Sequence, residues 1–359
     1  MIVSTSDDKQ PASARVTMKE VAKAAGVSAS TVCRALNSNP QIPEATRERV
    51  QAVADELGYS PDPLLSAFAS RRRGRKLDTE ITTIGYLTNF STRDEWRDNP
   101  FYQACYAGVE ERAKRMGYHV EHFWLGESGM NAERLSRILY HRGILGLCVA
   151  PQPHVREPLA LDWERFSAVT VGYSVMSPIL HRSSAHHFHA IQEVISRLYS
   201  RGYKRVGLCL FADTSRRVDE LWLSGALLAQ EHRLSLDGGN DGHGFETKTF
   251  LFNDSTLSQV PDWCAREKLD AVISDNLVVM HTLEKAGVSI PGELAFATLN
   301  WEDGHPEIAG IDQRGGSIGA AAIDMLIGQI QRGERGLPEV PLTTMVEGAW
   351  VDGASVPIK

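Results

Sequence analysis

The chain has 359 residues, 42% of them hydrophobic and 23% charged, a globular composition with room for two or three domains that each bury a core. No run of about 18 apolar residues is present, which excludes a helical membrane span, and the opening MIVSTSDDKQPASAR lacks the basic and apolar regions of a signal peptide, so a cytoplasmic protein is expected. The net charge of −7 conceals a split: residues 15–76 carry 11 Lys/Arg against 6 Asp/Glu and the remainder 27 against 39, so a basic head on an acidic body points to a polyanionic partner for the head alone.

Residues 1–15 read as a polar tail. A capping box, Thr17 to Glu20, opens a helix of about two turns that Gly26 stops in the left-handed conformation. Ser28 is a second N-cap, and a helix of similar length runs to about Asn37; two short helices around a glycine turn form a helix-turn-helix. A third helix is expected from near Glu44 to Leu57, with Val50, Val53, Ala54 and Leu57 on one stripe and Gly58 as its stop. Val21, Val27, Val32 and Leu36 supply the stripe's partner, which makes residues 16–60 one three-helix domain.

Residues 61–78 form a linker. Asp62 and Pro63 can start a helix over about Leu64–Ser70, followed by Arg71, Arg72, Arg73, Arg75 and Lys76. So short a helix is marginal alone in water, and its basic tail suggests that it forms against phosphate.

From Thr82 onward short apolar runs alternate with amphipathic stretches. Strands are expected in TTIGYLT, YHVEHFWL, GLCVAP, AVTVGY, RVGLCL, ETKTFLF, AVISD and LAFATL. Helices are expected over Phe101–Met116, Ala132–His141, His189–Arg201, Val218–Glu231, Thr256–Lys268 and Leu277–Ala286. This βαβ rhythm implies α/β architecture with parallel sheets covered on both faces, and residues 79–359 are enough for two similar lobes around a cleft. Cys33, Cys105, Cys148, Cys209 and Cys264 show no CxxC spacing and read as small buried hydrophobes. In HRSSAHHFHA, His181, His186, His187 and His189 have no Cys, Asp or Glu close in sequence to complete a metal site; no metal is expected, and the histidines read as surface or cleft-rim residues.

The segments VTMKEVAKAAGVSASTVCRALN and EATRERVQAVADELGYSPD resemble the DNA-binding head of the LacI/GalR family of bacterial transcription regulators. LYSRGYKRVGL, AGVSIPGELAFATLN and IAGIDQRGGSIGAAAIDML resemble the family's effector-binding body, which has a periplasmic-binding-protein-like fold. The resemblance implies a homodimer, or a dimer of dimers, that binds double-stranded operator DNA and is controlled by a small molecule between the lobes, acting through a hinge helix at 61–78. It implies no cofactor and no catalytic residue.

In helix-turn-helix geometry the second helix presents Ala29, Ser30, Thr31, Cys33 and Arg34 to base edges. Arg34 suits guanine, Ser30 several bases, and Ala29 a thymine methyl. Thr17, Ser28 and Asn37 suit phosphate. On the hinge helix Leu65 and Phe68 are the DNA-contacting residues, and Phe68 falls where the family usually places a leucine that wedges into the minor groove. Two departures stand out. Cys33 replaces the usual serine, and Pro43 removes the third helix's N-cap side chain, which should shift that helix's start by one or two residues.

The family pattern places effector contacts at Asn89, Phe90, Phe101, Tyr102, Tyr173, Trp222, Asp275, Asn276, Asn300, Trp301 and Gln313. Most follow the carboxyl ends of strands, where open α/β sheets bind ligands. Sugar-responsive members commonly have arginine where this chain has Trp222, and aspartate where it has Asn300. A carbohydrate is the first reading for the effector, with another metabolite or no effector left open. Two other functions compete. An enzyme finds no G-x-S-x-G, P-loop or H-E-x-x-H motif, and GGNDGHG lacks the strand-to-helix context of a nucleotide loop; a transporter's solute-binding protein would need export and no basic head.

Overall fold

The computed structural model describes residues 16–36, 42–57, 59, 82–153, 158–236 and 245–359. The chain divides into two compact units, with the boundary between Glu80 and Ile81. The linker, including Leu65 and Phe68, lies outside the described residues, as do Asn37, Gly58 and the side chain of Cys33.

The head contains α1 (Met18–Ala25), α2 (Ala29–Leu36) and α3 (Glu44–Glu56). At the start of α1 the Glu20 carboxylate accepts from the Thr17 backbone N–H at 2.6 Å and from its hydroxyl at 2.9 Å, which holds the Glu20 carboxyl below its usual range. Gly26 closes α1 at φ 65°, donating its N–H to the Ala22 carbonyl. Val21, Val32, Val50 and Ala54 are buried together with Tyr59, while Val27, Leu36 and Val53 pack at the margin. Two expectations are corrected. Leu57 leaves the apolar stripe and is 37% exposed, because α3 ends at Glu56. Pro43 does not shift α3: it occupies the N-cap in an extended conformation, and its carbonyl accepts from the N–H groups of Thr46 and Arg47.

The body has two parallel-sheet lobes. Lobe one contains β1 (Thr82–Thr88), α4 (Pro100–Arg115), β2 (Tyr118–Trp124), α5 (Ala132–His141), β3 (Gly146–Val149), β4 (Ser167–Val171) and β5 (His181–Ala185). Lobe two follows with α6 (His187–Ser200), β6 (Arg205–Phe211), α7 (Ala212–Arg217), α8 (Leu221–Leu236), β7 (Glu246–Phe252), α9 (Val260–Glu267), β8 (Ala271–Ser274), α10 (Val278–Lys285), β9 (Ala295–Thr298) and β10 (Ala309–Asp312). The chain then returns to lobe one with α11 (Gly315–Arg332) and β11 (Thr343–Val346), and ends in lobe two with β12 (Ala349–Val351).

The sheet orders are β11-β5-β4-β3-β1-β2 and β12-β10-β9-β8-β6-β7, with every pair parallel except β10 with β12. The period of two along each strand fills two cores per sheet: in β6, Val206, Leu208 and Leu210 enter one and Cys209 the other, while in β1 Ile84 and Tyr86 oppose Leu87. Three segments cross between the lobes: β5 to α6, β10 to α11, and β11 to β12.

All eight expected strands are present. β5, β10, β11 and β12 come in addition, being short or polar: β5 is His-Arg-Ser-Ser-Ala, which carries no hydrophobic alternation. The helix expected from Val218 begins at Leu221, because Asp219 and Glu220 both adopt left-handed backbone at φ 56° and 54° and break the turn after α7. Cys105, Cys148, Cys209 and Cys264 are buried and free, and burial pushes the Cys148 and Cys264 thiols up to about 12.

Candidate functional site

The head and the body each offer one site. In the head, the Ser28 hydroxyl accepts from the Thr31 N–H at 3.1 Å, capping α2, and lies 2.8 Å from both the Ser30 and Thr31 hydroxyls. Ser30 and Arg34 stand one turn apart, both exposed, with Thr31 half-buried beside them. Ala29 packs at the margin of the head core, and Thr17 is spent on the cap of α1. The surface left for a ligand is a short polar stripe with one guanidinium.

In the body, a chain of polar contacts runs from one lobe to the other. Tyr102, at the start of α4, has its N–H held by the Asn99 side chain at 3.1 Å, and its hydroxyl accepts from Arg217 Nη1 at 2.7 Å. Arg217 Nη2 donates to the Thr214 hydroxyl at 2.9 Å, and Thr214 in turn bonds the Asp275 carboxylate, which also accepts from the Phe211 N–H at 2.9 Å. The Asn300 amide donates to the Asp275 carbonyl at 2.7 Å, and Gln313 donates to both the Leu299 carbonyl and the Asn300 side chain. Burial pushes the Asp275 carboxyl up to about 6, although the Phe211 and Thr214 bonds and the charge of Arg217 oppose this. Phe90 lies 5.8 Å from Tyr102, and Phe101 6.0 Å from it.

Sequence reasoning missed Arg217 and Thr214. The family pattern directs attention to Trp222, but the guanidinium that reaches across the lobes comes from five residues earlier, where α7 ends and the left-handed pair Asp219 and Glu220 turns the chain. The only signal is the pair Arg216-Arg217 just after a strand's carboxyl end. Trp222 itself is 1% exposed in a core of lobe two, its ring edge-on to His187 at 4.9 Å. His187 is buried rather than at the rim, and burial pulls its imidazole down to about 3. The Asn276 side chain, just before α10, accepts from the Val278 N–H at 2.9 Å, and Tyr173 carries the Arg182 guanidinium over its ring at 4.8 Å. Asn89 follows β1 directly, and Trp301 follows Asn300 after β9.

Several buried polar atoms have no hydrogen-bond partner among the described residues, including Gln152 Oε1, His187 Nδ1, Ser215 Oγ, Arg217 Nε, Trp222 Nε1 and Trp301 Nε1. Such atoms cost about 1 to 3 kcal/mol each when unmet. Gln152, Ser215, Arg217 and Trp301 lie on segments that follow the carboxyl ends of strands, where open α/β sheets bind ligands; others, such as Tyr86 Oη and the Ser183 and Ser184 hydroxyls, lie within strands. Among the described residues no helix is long and apolar enough to cross a membrane.

Comparison with known proteins bears on the head and on the fold of the body. Residues 17–62 match the family model described as bacterial regulatory proteins, lacI family. The ribose operon repressor of Escherichia coli (strain K12) is 27% identical over 334 residues, covering 88% of this chain and 93% of that protein. The HTH-type transcriptional regulator MalR of Streptococcus pneumoniae is 27% identical over 293 residues, covering 79% and 84%. Among solved structures, a transcriptional regulator CelR–cellobiose complex superposes with a TM-score of 0.59 at 21% identity over 95% of this chain and all of that one. The lac repressor dimer bound to operator and the anti-inducer ONPF does so with a TM-score of 0.54 at 18% identity, over 96% and 100%. The helix-turn-helix head thus matches the lacI family model, and the chain as a whole is similar in sequence to regulators such as the ribose operon repressor and in fold to the lac repressor.

Proposed function

We propose that this protein is a homodimeric, sequence-specific transcriptional repressor whose affinity for operator DNA is set by a carbohydrate bound between the lobes of the body. The polar chain Tyr102–Arg217–Thr214–Asp275 carries this reading, because it joins the lobes through hydrogen bonds that a polyhydroxylated ligand can replace one for one. Phe90 and Tyr102 supply aromatic faces for a sugar ring, and Asp275, Asn300, Gln313 and Arg217 supply directional donors and acceptors. The ribose repressor and MalR relatives and the cellobiose complex support the class of ligand.

On the DNA side, Ser30, Thr31, Cys33 and Arg34 read the major groove, Ser28 and Asn37 hold phosphate, and Leu65 and Phe68 of the hinge segment enter the minor groove. A ligand that changes the angle between lobes alters whether two hinge segments can pack at the operator centre. That gives the cleft control over DNA affinity only through its differential affinity for the two lobe arrangements.

Selection of binding sites from random duplexes with the full-length protein tests the reading. A pseudo-palindromic site is expected, and one member of a panel of pentoses, hexoses and disaccharides should shift its affinity by at least about tenfold, a coupling of about 1.4 kcal/mol. Failure to recover any consensus would sink the DNA reading. A consensus that no sugar affects would sink the carbohydrate assignment alone.

A further inference from the structure

Two of the three segments that cross between the lobes meet at one point. β5 and β11 are parallel neighbours in register, Ala185 opposite Val346, and each strand ends there. The next residues, His186 and Glu347, are therefore the first residues of the two crossings, one leading into α6 and the other through Gly348 into β12. The His186 N–H donates to the Val346 carbonyl at 2.9 Å, which fixes this adjacency through the backbone.

One turn into α6, His189 lies over His186 with the rings 3.6 Å apart and only 6° from parallel. His189 Nδ1 is 3.1 Å from Glu347 Oε1. One ligand nitrogen from each histidine and a Glu347 carboxylate oxygen all lie within 4.8 Å of one another. Around a tetrahedral zinc ion with donors at about 2.0 to 2.1 Å, neighbouring donor atoms stand roughly 3.3 Å apart, so small side-chain rotations complete the geometry. His186 Nδ1 holds only a long 3.3 Å bond from the His189 N–H, so a metal that takes this lone pair displaces one weak contact. His186 is half-buried, while His189 and Glu347 are exposed, so an ion can enter and a fourth position stays open to water.

We propose that His186, His189 and Glu347 bind a divalent metal ion of the zinc class and tie together two of the three crossings between the lobes. Two imidazoles and one carboxylate are a donor set suited to zinc and its late-transition neighbours and poorly suited to magnesium or calcium. The absence of a ligand partner near the histidines in sequence is overturned by the fold, which brings Glu347 from 158 positions away. The inference does not depend on what the cleft or the head binds.

The test uses the full-length protein, stripped with a chelator and titrated with zinc by calorimetry, and with Co2+ by visible absorption. One saturable site per chain is expected, with the absorption of low-coordinate cobalt and a rise in Tm on adding metal. His189→Ala and Glu347→Gln should each weaken zinc binding by at least about tenfold and abolish the Tm shift. His305→Ala, which alters a second exposed histidine–carboxylate pair, should leave both unchanged. Absence of saturable binding, or binding that His189→Ala and Glu347→Gln leave intact, overturns the proposal.

Discussion

Arg217 of lobe two donates to the hydroxyl of Tyr102 of lobe one at 2.7 Å, and this bond begins the polar chain that ends at Asp275. Its donor also carries a buried Nε with no partner, so the guanidinium is held in place without being fully satisfied. A hydrogen bond to a charged group is worth about 1.5 to 3 kcal/mol when its partner is removed. Tyr102→Phe and Arg217→Ala should therefore each destabilise the protein in urea unfolding. A double-mutant cycle between them should return a coupling of about 1 to 2 kcal/mol. Additive losses would mean that water between the lobes replaces the bond without cost.

The Asp275 carboxyl, raised to about 6 by burial, works against stability at neutral pH. Its folded pKa lies above its unfolded value, so the folded state holds the proton more tightly. The stability this gives is fully present below about 3.8 and is lost as pH rises through about 6. The shift corresponds to about 3 kcal/mol of penalty at pH 7. Asp275→Asn keeps the bond from the Phe211 N–H, and the Thr214 hydroxyl can turn to accept from the new amide. The variant should gain stability relative to wild type between pH 4 and 6 and hold that gain to pH 8, checked by urea melts at each pH. If it is also blind to the sugar that controls operator binding, the buried charge is retained for ligand recognition at a cost in stability.

His187 has the opposite sign. Its folded value, about 3, lies far below the ordinary 6.5, because burial beside Trp222 leaves no room to hydrate an imidazolium. Only the unfolded chain takes up this proton, so the stability is present above about 6.5 and drains away as pH falls toward 3. The loss at the acid end is on the order of 5 kcal/mol. His187→Phe removes both the titration and the unpartnered Nδ1, so its stability should fall less steeply between pH 6.5 and 4 than that of wild type. Acid-denaturation curves with equal slopes for the two proteins would rule this out.

The contact between α4 and α11 depends on glycine. A Cβ on Gly319 would stand 2.0 Å from the Cys105 carbonyl oxygen, and one on Gly108 2.0 Å from that of Gly316. Both obstacles are backbone, so the helices themselves must move apart. Gly319→Ala and Gly108→Ala should each cost about 3 kcal/mol or more. Gly316→Ala, whose new methyl meets nothing closer than 3.8 Å, should stay within about 0.5 kcal/mol of wild type by thermal unfolding.

What the sequence disclosed follows the strength of its local signals. The capping box at Thr17, the left-handed stop at Gly26 and the Ser28 cap act within a few residues, and all three are present in the structure. Buried strands such as AVIS and AFAT announce themselves by composition, whereas β5, β11 and β12 are held by their neighbours and read as loops. In the cleft, residues immediately after strands can be found by position. Arg217 cannot, because its partner Tyr102 is 115 positions away on the other lobe, and Glu347 cannot, because His189 is 158 positions away. Trp222 misleads for a related reason: alignment gives its place on α8 but not the inward turn of that face toward Ile191 and Val194.

In the head, specificity should rest on Arg34 more than on any neighbour. The Ser30 hydroxyl is already engaged with Ser28, Ala29 packs inward, and Thr31 shares the same hydroxyl cluster. The exposed guanidinium one turn beyond Ser30 is the group on this face able to bond two acceptors of a guanine at once. Arg34→Ala should lose about 1 to 3 kcal/mol on the selected operator and relax the base preference at one position of each half-site. Arg34→Lys keeps the charge but not the planar fork, so it should restore affinity at low salt without restoring the preference. Neutralising Arg71 to Arg73 should instead weaken all duplexes alike and flatten the salt dependence by about one unit for each phosphate left without a cation. Binding curves for the three variants on the operator and on single-base variants, across a salt series, separate these outcomes. If Arg34→Ala weakened every duplex equally, Arg34 would be a phosphate clamp and the reading of sequence would pass to Cys33 and Thr31.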